Sequence, residues 1–239
     1  MGKTLLAAQF WKADIMCKNF MKSRICSKIK TKTKLLNTKM KIMYMHTIFT
    51  WIYFIGLVIG SVIRVLYTKR STTKEDIAKD YETKIDRFLV SLPALGMFVL
   101  PLVYALTTWL NFADYQVPVV TGWIGAVVYF VSFWLLWRSH ADLQRSWTPS
   151  VQIRKEHTLV THGVFIYIRH PMYAAHLLWG LAQPFLLWNW IAGFSMLVTQ
   201  IPLYVYRIPR EEKMMLNQFG EEYKSYMEKT GRFIPMFWK

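Results

Sequence analysis

The eighteen residues Glu156-His157-Thr158-Leu159-Val160-Thr161-His162-Gly163-Val164-Phe165-Ile166-Tyr167-Ile168-Arg169-His170-Pro171-Met172-Tyr173 gather three histidines, an arginine and a proline directly ahead of a long run without Asp, Glu, Lys or Arg. Pro171 suits the first turn of a helix, where its missing N–H has no intrahelical partner to lose. His170 then stands at the helix N-terminus, where partial positive charge and open N–H groups suit a carboxylate or another anionic group. Gly163 suits a turn or a close backbone approach to a ligand. A second cluster closes the run: Tyr206-Arg207-Ile208-Pro209-Arg210-Glu211-Glu212-Lys213. Arg207 and Glu211 are four apart, hence on one face of a helix that continues past Pro209. As an exposed helical pair they would contribute only about 0.3–0.5 kcal/mol. Their position argues for more, because Arg207 is the first charge after residues 171–206. If that run doubles back, the two charged clusters meet, in a pocket open to the cytosol on one side and to lipid on the other.

The elements that must position these clusters are membrane spans. Of the 239 residues, 54% are apolar, 16% aromatic and only 18% charged, which is not the surface of a soluble protein. Runs of the roughly 17–25 residues that cross a hydrocarbon core, uncharged but for Arg64 near the end of the first, lie at 46–67, 88–109 and 119–137, and the uncharged run 171–206 is too long for one crossing. Trp188-Asn189-Trp190 near its middle suits a tight turn between two interfacial tryptophans and divides it into a helical hairpin. This predicts an all-α integral membrane protein with five transmembrane helices, the last two forming the hairpin, and a cytosolic C-terminal region. Charge bookkeeping agrees: segments 64–87, 138–170 and 207–239 hold seven, five and seven basic residues, while 110–118 and 188–190 hold none. All 19 basic residues beyond position 42 thus lie on one face, which the positive-inside rule makes cytosolic. Pro93, Pro101, Pro184 and Pro202 fall inside the runs, where membrane helices tolerate them as kinks.

Net charge is +16, and residues 1–42 carry 11 Lys and Arg against one acid, Asp14. With five spans this segment would lie outside, where basic residues do not belong, so it is expected to be a disordered extension or to precede the true start, at Met43 or Met45. The domain reading is therefore 1–42 extension, 43–145 first three transmembrane helices, and 146–239 catalytic region with the last two transmembrane helices and a cytosolic C-terminal helix. The lysines of 30–41 lack aromatic platforms and groove-reading motifs, so no nucleic acid is expected as partner. Nor is an obligate protein partner evident. Intrinsic disorder is excluded for most of the chain by 11 Trp, 15 Phe and 13 Tyr. The only cysteines, Cys17 and Cys26, sit in the basic extension, which removes thiol chemistry from the rest. His140, His162 and His176 lack ligand spacing, and no metal is expected.

The pattern His157-Thr158-Leu159-Val160, Gly163-Val164, Arg169-His170-Pro171-x-Tyr173, Arg207-x-x-x-Glu211-Glu212 and Phe219-Gly220-Glu221-Glu222-Tyr223 resembles that of the integral-membrane isoprenylcysteine carboxyl methyltransferases and their phospholipid-methyltransferase relatives. The resemblance spans roughly residues 150–235. It implies S-adenosylmethionine as cofactor, held on the cytosolic side by His157, Thr158, Leu159 and Val160, by the Phe165 position, and by His170, Pro171, Met172 and Tyr173. Phe165 replaces a tyrosine common in the family, so a hydroxyl contact is lost. Gln152 resembles a further cofactor contact. Arg207 would face the acceptor, and Glu211 would line the junction of acceptor and cofactor.

These residue types suit the implied reaction. A sulfonium methyl is already activated, so alignment and exclusion of water dominate, an effect reaching about 7–11 kcal/mol. A carboxylate acceptor is ionised at neutral pH and needs only a cation to place it, which the forked guanidinium of Arg207 supplies. An amine acceptor would have to lose a proton, giving Glu211 the role of base and leaving Arg207 for a lipid phosphate. The expected function is methyl transfer to a lipophilic acceptor among the membrane lipids, foremost the carboxylate of a prenylated cysteine, with phospholipid amino-group methylation as the alternative. An NADPH-dependent membrane sterol reductase is a competitor of another class, although Arg154, Lys155 and Arg169 offer little for the extra phosphate. A non-enzymatic scaffold or transporter is disfavoured by the absence of inverted repeats and of charge within the spans beyond Arg64. The expected location is multi-pass with a cytosolic C-terminus, in the plasma membrane of a microbe or the endoplasmic reticulum of a eukaryote.

Overall fold

The computed structural model describes residues 24–71, 77–80, 83–143, 152–154 and 158–236. In chain order the elements are α1 (Arg24–Ser71), β1 (Ile77–Asp80), α2 (Lys84–Ala94), a π-helical turn (Leu95–Val99), α3 (Leu100–Leu106), a 3-10 turn (Asn111–Ala113), α4 (Val119–Leu143), β2 (Gln152–Arg154), a second 3-10 turn (Gly163–Ile166), α5 (Pro171–Leu187), α6 (Trp190–Phe219) and α7 (Glu221–Lys229). Four stretches are helical, long and apolar enough to cross a membrane: Lys30–Lys69, Lys84–Leu106, Val119–Leu143 and Trp190–Phe219. The protein is an integral, multi-pass membrane protein. At 17 residues, α5 is shorter than these four. Beside the helices, β1 and β2 pair as a small antiparallel ribbon, Asp80 opposite Gln152, which the sequence patterning does not reveal.

The chain divides into two units, Met1–Ile48 and Phe49–Lys239. In the first, the residues from Arg24 onward belong to α1, and residues 1–23 lie outside the described residues. Thr31, Thr38 and Thr47 there donate to the carbonyls of Ser27, Lys34 and Met43 one turn back, the usual way a helical threonine satisfies its hydroxyl.

In the second unit α1 lays one stripe against its neighbours. Phe49 and Tyr53 are fully buried. The Tyr53 hydroxyl donates to the Met97 carbonyl (2.6 Å), and the Tyr129 hydroxyl donates to the Tyr53 carbonyl (2.9 Å). Glycine is required at Gly56 and Gly60, where a Cβ would approach the rings of Tyr129 and Trp179 to 2.4 and 2.6 Å. Between Pro93 and Pro101 the helical ladder widens into the π turn, a register change that absorbs a missing N–H. Large apolar side chains such as Val127, Phe130, Val198 and Val205 point outward, as a lipid-facing surface demands.

The expected hairpin is present. Trp188 adopts a left-handed φ of 48° after α5. The Asn189 side chain then accepts from the N–H groups of Ile191 (3.1 Å) and Ala192 (2.9 Å) at the start of α6. Its amide also donates to the Leu110 carbonyl (2.7 Å) and to Asp114 (2.8 Å). A single polar side chain thus both caps α6 and ties the turn to the preceding loop.

Candidate functional site

The hairpin returns Arg207 to the level of His170, where two adjacent glutamates of α6 turn to different partners. Glu211 Oε1 accepts from the Tyr173 hydroxyl (2.8 Å) and from Arg207 Nε (2.7 Å), and its Oε2 lies 3.9 Å from His170 Nδ1. Glu212 Oε1 accepts from Arg169 Nε (2.9 Å) and Arg232 Nε (3.0 Å), with His170 Nε2 at 3.3 Å, while its Oε2 accepts from an Arg232 terminal nitrogen at 2.5 Å. The helix runs through Pro209, so the i,i+4 geometry expected for Arg207 and Glu211 holds. Arg207 is 8% exposed, so the energetics of a solvated surface pair do not apply to it.

Local structure fixes the other components. α5 begins at Pro171, with His170 as its N-cap residue and no side-chain hydrogen bond closing that end. Gly163 has φ +62°, and a Cβ there would come within 2.0 Å of Asp142 Oδ2. That oxygen accepts from the Val164 N–H (2.9 Å), and Arg138 holds the carboxylate from one turn back (3.0 Å). Asp142 of α4 thereby clamps the loop leading to the site. The segment after α7 lies along it: Arg169 N–H donates to the Gly231 carbonyl (2.9 Å) and His170 N–H to the Arg232 carbonyl (3.0 Å). Tyr226 donates to the Phe165 carbonyl (2.7 Å). Burial pushes its hydroxyl up to about 12, so it stays a donor at any physiological pH. Glu212, through its hydrogen bond, raises Arg232 above the ordinary arginine value. Arg169 also donates to the Met227 carbonyl (3.3 Å) and to that of Thr230.

An aromatic wall completes the site. The Tyr204 hydroxyl donates to the Tyr173 carbonyl (2.8 Å). Its ring meets Tyr173 edge-on at 5.1 Å and stacks on Phe233 at 5.8 Å.

Of the residues expected from sequence, the structure brings His170, Tyr173, Arg207 and Glu211 together. Pro171 opens α5, and the Met172 carbonyl lies 2.7 Å from His176 Nδ1. Thr158 is exposed, Leu159 half-buried, and Val160 packs on the cluster of Leu135, Leu136, Val164, Phe165, Ile168, Ala174 and Ala175. Phe165 is a buried member of that cluster. His157 lies outside the described residues, and Gln152 is described only as backbone of β2. The expectation gave no role to Glu212, Arg169, Arg232, Asp142 or Tyr204. The signal for the first two was present in the Arg-His-Pro and Glu-Glu pairs. Asp142 and Arg232 carry none, because the partners that tie them to the site, Val164 and Glu212, are distant in sequence.

The arrangement is that of a multi-pass membrane protein whose charged site lies at the ends of a helical hairpin. Residues 123–217 match the model of the isoprenylcysteine carboxyl methyltransferase (ICMT) family, so the resemblance read from the motifs is found independently from within α4 to nearly the end of α6. Protein-S-isoprenylcysteine O-methyltransferase B of Arabidopsis thaliana is 34% identical over 93 residues, which cover 38% of this chain and 47% of that protein. The Homo sapiens protein-S-isoprenylcysteine O-methyltransferase is 35% identical over 79 residues, 33% of this chain and 28% of that one. The aligned stretch thus spans less than half the length of these relatives. A solved structure described as the eukaryotic intramembrane Ras methyltransferase ICMT covers 96% of this chain and 92% of its own, at 17% identity and a TM-score of 0.47. The matched stretch contains His170, Tyr173, Arg207, Glu211 and Glu212 and stops short of Arg232.

Proposed function

We propose that this protein transfers a methyl group from S-adenosylmethionine to a lipophilic acceptor, the carboxylate of a prenylated cysteine. The observation that carries the reading is the convergence on Glu211: Tyr173, next to the start of α5, and Arg207, at the end of the apolar hairpin, donate to the same carboxylate oxygen. The names of the relatives matched over this stretch support it.

The residues fit the donor's chemistry. Its carboxylate suits the start of α5, which lacks a side-chain cap, and its ammonium and sulfonium suit the nearby half-buried Glu211. In this reading His170, Pro171, Met172 and Tyr173 hold it, with Gln152, His157, Thr158, Leu159, Val160 and the Phe165 position contributing along the approach. When bound it supplies an activated methyl on sulfur. Arg207 places the acceptor carboxylate through paired N–H donors, and Glu211 fixes the guanidinium by holding its Nε. Tyr204 and Phe233 exclude water beside Tyr173. Because the acceptor carboxylate is already ionised near neutrality, no residue has to remove a proton from it. The same reading counts α5 as a fifth span, which sets the C-terminal region with α7 on the cytosolic face, in the endoplasmic reticulum of a eukaryote or the plasma membrane of a microbe.

The test is methyl transfer from labelled S-adenosylmethionine, with purified protein in detergent, to N-acetyl-S-farnesylcysteine and to phosphatidylethanolamine. Base-labile label on the farnesylcysteine is expected. Label on the amino lipid alone would make the protein a phospholipid methyltransferase, and binding of NADPH with no transfer would make it a reductase.

A further inference from the structure

The sequence places one charge, Arg64, near the cytosolic end of the otherwise uncharged first span, and the reaction outlined above gives it no role. The inward stripe of α1 runs Tyr53, Gly56, Gly60, with Gly60 against the Trp179 ring. Three residues past Arg64, the Tyr67 ring meets His140 of α4 at 5.0 Å. Arg64 lies four residues after Gly60 and three before Tyr67, so it sits on that same stripe between two contacts into the bundle. Its neighbour Ile63 packs on the apolar cluster of Leu135 and Phe165. The guanidinium accordingly lies within charge–charge range of Arg207 and Tyr173, and of His176 and His140. Its side chain is exposed. It is therefore not packed into the core.

The charge balance around Arg64 is the second observation. Arg64 and Arg207 are both cations, and Glu211 is the carboxylate between the site's two sides. Asp86, a further acid acting on Arg207, gives its Oδ2 to Arg210 (2.5 Å) and to Thr83, while its Oδ1 has no hydrogen-bond partner among the described residues. Glu212 is enclosed by Arg169, Arg232 and His170. His176 is turned to the Met172 carbonyl and stacked on Trp179. Among the described residues no acid pairs with Arg64. A guanidinium without an acidic partner, close to a second one at the end of a membrane bundle, is costly, and a ligand carrying its own negative charge removes that cost.

We infer that Arg64 is an acceptor-binding residue, the second cation that, with Arg207, holds the carboxylate of a ligand whose remaining length is apolar. This rests on the proposed methyl transfer and deepens it: Arg207 orients the reacting carboxylate, and Arg64 selects for its charge. The protein would then discriminate against the same lipid with its carboxylate neutralised.

The experiment compares N-acetyl-S-farnesylcysteine as substrate with its carboxamide as competitive inhibitor, in wild type, Arg64→Gln and Arg64→Lys, with S-adenosylmethionine affinity measured by calorimetry. The wild type should bind the carboxylate at least about tenfold more tightly than the carboxamide. In Arg64→Gln the KM for the carboxylate should rise about tenfold, with kcat changed much less, carboxamide inhibition unaltered and donor affinity unaltered. Arg64→Lys keeps the charge without the fork and should fall between. Unchanged KM and retained discrimination in Arg64→Gln would overturn the role of Arg64 while leaving Arg207 as the carboxylate holder. No transfer to the farnesylcysteine by wild type would overturn the methyl-transfer reading itself. Should Arg64→Gln fail to accumulate, Arg64→Lys decides: a KM raised several-fold at constant donor affinity supports the inference, and an unchanged KM overturns it.

Discussion

Glu212→Gln tests whether the second glutamate is the lock that holds the C-terminal segment onto the site. Glu212 is 4% exposed, and its carboxylate balances Arg169, whose side chain is 11% exposed, and Arg232, whose side chain is 49% exposed. Removing one partner of a buried pair costs about 3–5 kcal/mol because the other charge is left uncompensated. Two features lower that figure here. The glutamine carbonyl remains an acceptor, and Arg169 keeps the carbonyls of Met227 and Thr230. Half-exposed Arg232 adds only about 0–1 kcal/mol. The expected loss is about 2–3 kcal/mol. At roughly 2–4 °C per kcal/mol for a chain of this length, Tm should fall by about 4–12 °C. Tryptophan fluorescence during heating in detergent reads it. Arg232→Ala, as control, should move Tm by no more than about 2–4 °C. Limited trypsin digestion should also cut near Lys229 and Arg232 sooner in Glu212→Gln, since Gly231 and Arg232 are held along Arg169 and His170. A variant melting with wild type and equally protease-resistant would refute the lock.

His170→Ala should weaken S-adenosylmethionine binding by about 1–3 kcal/mol, the cost of losing one partner of a buried polar contact, read by calorimetry as roughly 5–150-fold in Kd. Arg207→Lys should lower turnover at least about tenfold with donor affinity nearly constant, and Glu211→Gln should do likewise; normal turnover in both at saturating acceptor would make the pair merely structural. The rate with a carboxylate acceptor should be nearly flat around neutral pH, whereas a rate rising with pH would point to an amine losing its proton. Gly163→Ala forces a side chain into a left-handed backbone and against Asp142 Oδ2, and should cost about 2–4 kcal/mol; an unshifted melting curve would contradict the clamp. A reporter fused after Lys239 should be cytosolic, and finding it outside would rule out five spans.

Features legible in the sequence are those whose causes lie within a few residues. Pro171 marks the start of α5 because proline costs nothing where no helical N–H bond exists. Trp188-Asn189 marks the turn because asparagine supplies the cap that the next helix lacks. Arg207 and Glu211 share a face because a helix repeats every 3.6 residues. Uncharged runs reveal the spans because lipid solvates no charge. The sequence could not show that Glu211 faces the site while Glu212 faces the C-terminal segment, since that choice depends on where α5 and residues 231–232 lie. It could not pair Asp142 with the loop at Gly163, or Arg232 with a glutamate twenty positions earlier. The helix on which Arg64 rides had to be docked before its charge acquired neighbours. Local backbone preferences are written in neighbouring residues. The partners of a buried charge are chosen by packing, and packing belongs to the whole bundle.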